Sequence, residues 1–372
     1  MSTVLIFPLP ELGHILPTLS LTRNLTQQGH RVVYLTAPQF TNVISSVGGH
    51  IEPIIDAGKN IADLSGESIW YRFIRNYGAD TRGVRFRELL TSVFSKETVS
   101  LVLCDHILGK LYRNSLTSKI SKNRFVLFST SLFNWKQYEP DKSDVPTIVF
   151  CPEVFEVTKF RTPQKGLFYV ESSLRPIDIE PDIRDFHLND SPLVLATFGT
   201  QSVRYRGLGE WLSLIRQLAA AQPRLQFVVA AGNCEPSFYA EFSSGLSNLI
   251  VRKIIPQRAL LRQASALITH GGLGSIKEAI CDGVPLVVLP MLYDQPFNAM
   301  RVRYHRLGEA IFQEKRSLRS LETAVCSAID GAFARQVAQM RSNFLAIEEA
   351  QLSYLYINNR LANIENASTL DS

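Results

Sequence analysis

Three short stretches of this 372-residue chain gather side chains able to move a proton or hold an anion. The first is Leu12-Gly13-His14-Ile15-Leu16-Pro17. An imidazole titrates near neutrality, so His14 is a candidate general base for taking a proton from a hydroxyl. Such a base works best beside a carboxylate that fixes its tautomer and stabilises the imidazolium. Asp105, directly after the apolar run Leu101–Cys104, is the leading candidate, with His106 as its competitor. The second stretch is His270-Gly271-Gly272-Leu273-Gly274-Ser275, which leads into a helical pattern. Its glycines allow close approach of backbone to an anion, and a helix start near Gly274 offers free N–H groups and a positive dipole end. Ser275 and His270 add donors, and Glu278, one turn on, is placed to accept hydrogen bonds from ribose hydroxyls. The third is Asp294-Gln295 ahead of Asn298, a carboxylate beside an amide, which suits the fixed fan of hydroxyls on a pyranose.

These groups need a scaffold that brings strand ends together, and the pattern of the chain supplies one. Short runs rich in Val, Ile and Leu alternate with helical stretches, the signature of a parallel sheet wrapped by helices. In the first half the strands are Thr3–Phe7, Arg31–Leu35, Leu101–Cys104 and Phe125–Ser129. Helices are expected from about Ile15 to Gln28 and from Pro38 to before Gly48. The second half repeats the pattern with strands Leu193–Phe198, Phe227–Ala231, Leu249–Arg252, Ala266–Thr269 and Leu286–Leu289. About Thr162–Pro192, rich in proline and charge, reads as the linker, and Leu318–Asn363 as C-terminal helices with Glu365–Ser372 frayed. The expected fold class is α/β, with two facing, doubly wound, Rossmann-like domains. They cover residues 1–170 and 186–350, followed by a C-terminal helix and tail over 351–372. Ligands of such sheets bind at the carboxyl ends of the strands, so one cleft between the domains should collect the three stretches.

Composition sets the outer limits. With 45% hydrophobic and 20% charged residues the chain can bury two cores, and its net charge of +5 is mild. No dense basic run argues for nucleic acid, although peripheral contact with a membrane surface is left open. The five cysteines are scattered and odd in number, which reads as buried reduced thiols and a cytoplasmic location. No uncharged run is long enough to span a bilayer, and the opening Met1–Phe7 reads as a strand rather than a leader.

The stretch from Ala266 to Asn298 resembles the donor signature of the nucleotide-sugar-dependent glycosyltransferases of the GT-B fold. That family (family 1) includes plant, UDP-glucuronosyl and bacterial antibiotic enzymes. Pro256-Gln257 with Leu260-Leu261 matches its P-Q-x-x-L-L element, and Phe198-Gly199-Thr200 its second phosphate turn. The resemblance implies that Thr200, His270, Gly272, Gly274 and Ser275 hold the diphosphate and that Gln257 lies beside the nucleoside. Glu278 then serves the ribose, and Asp294 and Gln295 the sugar. Gly-His-x-x-Pro after the first strand resembles the family's catalytic-base motif, with Asp105 as partner. The implied reaction moves a hexose from a UDP- or dTDP-sugar to an acceptor hydroxyl, with inversion and without a metal. No cofactor is expected beyond the nucleotide sugar as co-substrate.

Ile254 stands where many relatives carry a tryptophan that stacks on uracil, so the base, uracil or thymine, stays open. The chain is short between Ser129 and Pro152, where relatives insert helices over the acceptor, so a more open acceptor site is expected. Trp70, Phe133 and Trp135, with other aromatics near them, are candidates for lining it. Phe198-Gly199-Thr200-Gln201 and Asp294-Gln295-Pro296 resemble the bacterial carotenoid glucosyltransferases. That likeness points to a small, fairly apolar acceptor, a lipophilic alcohol or another natural product. A monomer or a homodimer is expected. A nucleotide-sugar 2-epimerase and a non-catalytic donor-binding protein are the competing readings. A dehydrogenase is disfavoured, because prolines replace the G-x-G-x-x-G that should follow the first strand.

Overall fold

A computed structural model describes residues 1–53, 98–108, 124–132, 145–157, 166–174, 182–199, 202, 205–232 and 236–370, the last four without their side chains. The first half builds one sheet from β1 (Thr3–Phe7), β2 (Arg31–Thr36), β3 (His50–Pro53), β4 (Val99–Asp105), β5 (Phe125–Ser129), β6 (Thr147–Val149) and β7 (Leu167–Tyr169). The second builds another from β8 (Leu193–Thr197), β9 (Gln226–Ala230), β10 (Leu249–Arg252), β11 (Ala264–Thr269), β12 (Leu286–Val288) and β13 (Gly308–Ala310). The orders are β3-β2-β1-β4-β5-β6-β7 and β10-β9-β8-β11-β12-β13, with every described pairing parallel. In each sheet the order reverses beside the first strand, between β1 and β4 and between β8 and β11. Those are the two switch points at which ligands of such sheets bind.

Among the described residues the helices are α1 (Leu12–Ile15), α2 (Leu19–Gln27), α3 (Thr41–Ser45), α4 (Leu208–Ala221), α5 (Pro236–Ser243) and α6 (Gln257–Leu261). They continue with α7 (Leu273–Asp282), α8 (Gln295–Tyr304), α9 (Leu318–Ile329), α10 (Ala334–Ala350) and α11 (Leu352–Leu370). The continuous apolar strands follow from burial on both faces. Leu5, Phe7, Val33, Leu35, Val102 and Cys104 enter one cluster, while Val4, Ile6, Val32, Tyr34, Leu101 and Leu103 enter the other. Successive side chains on a strand point to opposite faces, so each strand serves both layers. α11 returns across the molecule to place Ile357 and Leu361 in the second of these clusters.

Several details differ from the sequence pattern. The strands β3, β6, β7 and β13 went unread because each is only three or four residues long at a sheet edge or next to one. β7 lies inside the stretch read as linker, where proline and charge mask its three-residue run. The first helical region starts earlier than expected, at Leu12, and is broken by a 3₁₀ turn over Leu16–Thr18 that accommodates Pro17. At the far end α11 runs on to Leu370 where fraying was expected, and Glu365 there accepts a hydrogen bond from Ser2 Oγ at 2.5 Å.

Candidate active site

His14 lies on α1 rather than in a loop. Glu11, extended at the N-cap, accepts from the His14 and Ile15 amides at 3.0 and 3.2 Å, and this short turn fixes the imidazole at the carboxyl end of β1. Asp105 is the last residue of β4, the strand paired with β1, with Cys104 in register with Phe7. The switch point therefore brings them together: His14 Nδ1 is 2.7 Å from Asp105 Oδ2. A carboxylate only accepts, so Nδ1 carries the proton and Nε2 keeps a free lone pair. Asp105 Oδ1 accepts from the Ile107 amide at 3.0 Å, and the carboxylate is fully buried. His106 Nδ1 lies 3.6 Å from that same Oδ1, on the other side from His14. Thr130, just past the end of β5, puts its Oγ1 3.0 Å from His14 Nδ1.

Burial works against charge on His14, yet the Asp105 carboxylate and its hydrogen bond reverse this, with Glu11 and Asp294 adding to the effect. The imidazole pKa is raised above its ordinary 6.5. Burial likewise works against the Asp105 carboxylate, but His14, together with His106 and the Ile107 amide, lowers the Asp105 pKa overall. Asp294 belongs to the second half, which places that carboxylate within electrostatic reach of His14.

In the second half β11 ends at Thr269, in register with Thr197 at the end of β8. His270 follows, buried and with its pKa pushed down to about 4 by desolvation, against a hydrogen bond to the Thr197 backbone. Two glycines make its room. A Cβ on Gly272 would stand 2.5 Å from His270 Nε2, and one on Gly199 2.8 Å from its Cε1. Tyr205 closes the ring from another side, with centroids 5.5 Å apart in a stacked pair. Gly272 is the N-cap of α7 without a capping side chain, and nothing lies within 4 Å of where a Gly274 Cβ would stand. The first amides of α7 are thus open to an anion.

Gln257 opens α6 and joins Ser275 to Glu278: its Nε2 donates to Ser275 Oγ at 3.2 Å and to Glu278 Oε2 at 2.6 Å. Burial raises the Glu278 pKa to about 7 in spite of Arg258 and this amide. The Asp294-Gln295 pair divides. Asp294 Oδ2 accepts from Asn298 Nδ2 at 2.9 Å, and burial raises the Asp294 pKa. Gln295 turns inward, its Oε1 accepting from the Met291 and Leu292 amides at 3.0 and 2.9 Å and its Nε2 donating to Tyr205 OH at 3.1 Å. It thereby braces the loop on which Asp294 stands. Asn298 also donates to the Gly271 carbonyl at 3.0 Å, tying α8 to the glycine turn.

Thr200, Trp70, Phe133 and Trp135 lie outside the described residues. Sequence reasoning did not single out Thr130 or Glu11, met Tyr205 only within the Arg204-Tyr205-Arg206 phrase that resembles the carotenoid glucosyltransferases, and named Asn298 only as the end of a stretch. Asn298 had a usable signal, four residues after Asp294 on one helix face. Thr130 had another, at a strand end on the same sheet edge as Asp105. Among the described residues no group of three or more His, Cys, Asp or Glu could hold a metal ion, and no helix is long and apolar enough to cross a membrane.

Residues 235–344 match the family model described as UDP-glucoronosyl and UDP-glucosyl transferase. The NDP-glycosyltransferase YjiC of Bacillus subtilis is 25% identical over 350 residues, 85% of this chain and 86% of that one. Among solved structures, the glycotransferase of kitacinnamycin superposes with a TM-score of 0.77 at 20% identity, over 96% of this chain and 98% of its own. The spinosyn rhamnosyltransferase SpnG complexed with thymidine diphosphate gives 0.69 at 16% identity, over 93% and 97%. The two parallel-sheet halves are those of the GT-B glycosyltransferases.

Proposed function

We propose that the chain is a family 1 glycosyltransferase that moves a hexose from a UDP- or dTDP-sugar to a hydroxyl of a small, fairly apolar acceptor, a reading supported by the family-model match and the glycosyltransferase relatives. The observation that carries the reading is the 2.7 Å contact between His14 and Asp105 at one switch point, with the open amides of α7 at the other. With Nδ1–H held by Asp105, Nε2 takes the acceptor proton. The acceptor oxygen bonds to the anomeric carbon as the bond from that carbon to the diphosphate oxygen breaks, which inverts the centre. The leaving nucleoside diphosphate carries negative charge to the N-terminus of α7, to Ser275 and to His270, with Thr200 continuing the turn after β8. Glu278 and Gln257 take the ribose and nucleoside, and Asp294 the sugar hydroxyls, with Gln295 holding its loop.

No step of this scheme asks for a metal or a further cofactor. The acceptor aromatics Trp70, Phe133 and Trp135 remain part of the reading, as does a monomer or homodimer. Cys104, Cys151, Cys281 and Cys326 are free thiols, which suits a cytoplasmic enzyme. The printed name of the Bacillus relative leaves the nucleotide unspecified, and the spinosyn enzyme is complexed with thymidine diphosphate, so both bases are kept.

The test is a thermal-shift panel of nucleoside diphosphates and nucleotide sugars, followed by mass spectrometry of reactions with apolar alcohols. Selective stabilisation by uridine or thymidine compounds, with an acceptor gaining one hexose mass, is the expected result. Donor turnover with no acceptor present would favour an epimerase instead.

A further inference from the structure

The side of α7 opposite the anion cradle carries a lysine that donor recognition leaves unused. Lys277 lies two residues after Ser275, so the two side chains leave the helix in nearly opposite directions. It is only 2% exposed, and its Nζ donates to two first-half carbonyls, Phe150 O at 2.7 Å and Ser172 O at 2.8 Å. These carbonyls follow β6 and β7. A second charge grips the same segment. Glu348 on α10 accepts from the Ser173 amide at 3.2 Å and from the Leu174 amide at 3.1 Å. Ser173 is held at φ +52°, a left-handed conformation uncommon for a residue with a side chain. A cation and an anion of the second half therefore hold opposite polar groups of Ser172–Leu174. Glu171, next to them, accepts from both the amide and the hydroxyl of Ser353 on α11.

An equivalent tie reaches α8. Arg301 Nε donates to Glu156 Oε1 at 2.8 Å, with both side chains buried, and His305 Nε2 is 3.1 Å from Phe155 O. Burying an ammonium among carbonyls carries a desolvation penalty that an apolar side chain filling the same space would avoid. A charged, hydrogen-bonded contact is directional, so it is suited to holding two surfaces in one register.

We propose that Lys277 and Glu348 form a clamp that fixes the separation of the two halves, and that Lys277 is a positioning residue for glycosyl transfer. It ties the helix that receives the diphosphate to the sheet that carries His14. The clamp acts between halves, so it sets the distance from base to anomeric carbon without touching the nucleotide. This inference rests on the proposed transfer reaction for its kinetic arm only.

The experiment uses the full chain with Lys277→Met and Glu348→Gln, the latter carrying the measurement if the former does not fold. UDP and dTDP are the binding probes. Nucleotide affinity should stay within about 3-fold of wild type, while kcat falls roughly 10- to 100-fold, the scale expected of a misplacement of about 1 Å. Leu321→Ala, a core change in α9, which carries no clamp residue, is the structural control, losing stability while keeping kcat per folded molecule. Hydrogen exchange without substrate should show faster exchange at Ser173 and Leu174 in both clamp variants. Unchanged exchange there would overturn the proposal, as would a kcat that stays near wild type or falls only in proportion to nucleotide affinity. If the wild-type chain transferred no sugar, the functional reading would fail while the exchange measurement still decided the clamp.

Discussion

His14 and His270 stand at the switch points of two sheets that share one order over six strands, the first sheet adding a seventh, and their surroundings move them in opposite directions. His14 has Asp105 against Nδ1, and its pKa is raised. His270 sits between Gly199, Gly272 and Tyr205 with no carboxylate bonded to it among the described residues, and its pKa is lowered to about 4. Burial is common to both, so the paired carboxylate makes the difference. It orients one imidazole as a proton acceptor that can carry the resulting charge. Its absence leaves the other a neutral, packed ring beside the open end of α7. One scaffold used twice thus yields one half suited to proton transfer and one suited to an anion.

The largest expected effect comes from removing what distinguishes the first histidine. Asp105→Asn should lower transfer by roughly 10²–10⁴-fold, the range for losing a correctly held general base. His14 must be neutral to accept a proton, so wild-type kcat/KM should fall as pH drops through a pKa above 6.5. In Asp105→Asn that inflection should move to lower pH, and pH–rate profiles of the two proteins check it.

A smaller effect is expected where a carboxylate sits without a histidine. The Glu278 pKa is raised from 4.5 to about 7, so the folded state holds the proton more tightly than the unfolded one. Its contribution to stability is present at low pH and is lost as pH rises through about 7. Glu278→Gln should remove up to about 1.4 kcal/mol of stability change per pH unit between those limits. Denaturant unfolding from pH 5 to 8 reads this difference; parallel slopes in both proteins would refute it.

The smallest effect would sharpen the second site. Ile254 is 77% exposed near Gln257, and Ile254→Trp should tighten binding of uridine diphosphate a few-fold, since a stacking contact contributes roughly 0.5–1.5 kcal/mol. Calorimetric titration checks it, and unchanged affinity would place the base elsewhere.

Long apolar strands and glycine turns were legible in the sequence because they leave local signals. His14 and Asp105, 91 residues apart, were readable as a pair through the rule that strand ends gather at a switch point and through the resemblance of their motifs, not through local spacing. The inward turn of Gln295 was not readable, because an Asp-Gln pair looks the same whether its amide meets a ligand or its own loop. The Lys277 clamp was equally hidden. A lysine in a helix normally points to water, and its carbonyl partners lie more than 100 residues away. The short edge strands lacked enough residues for any periodicity to show.

A base at His14 and a nucleotide site in the other half should be separable in one variant. Transfer rate and nucleotide affinity measured on a single preparation of His14→Ala decide this. Transfer should be lost while nucleotide affinity remains near wild type. Transfer at close to the wild-type rate would show that another group takes the proton.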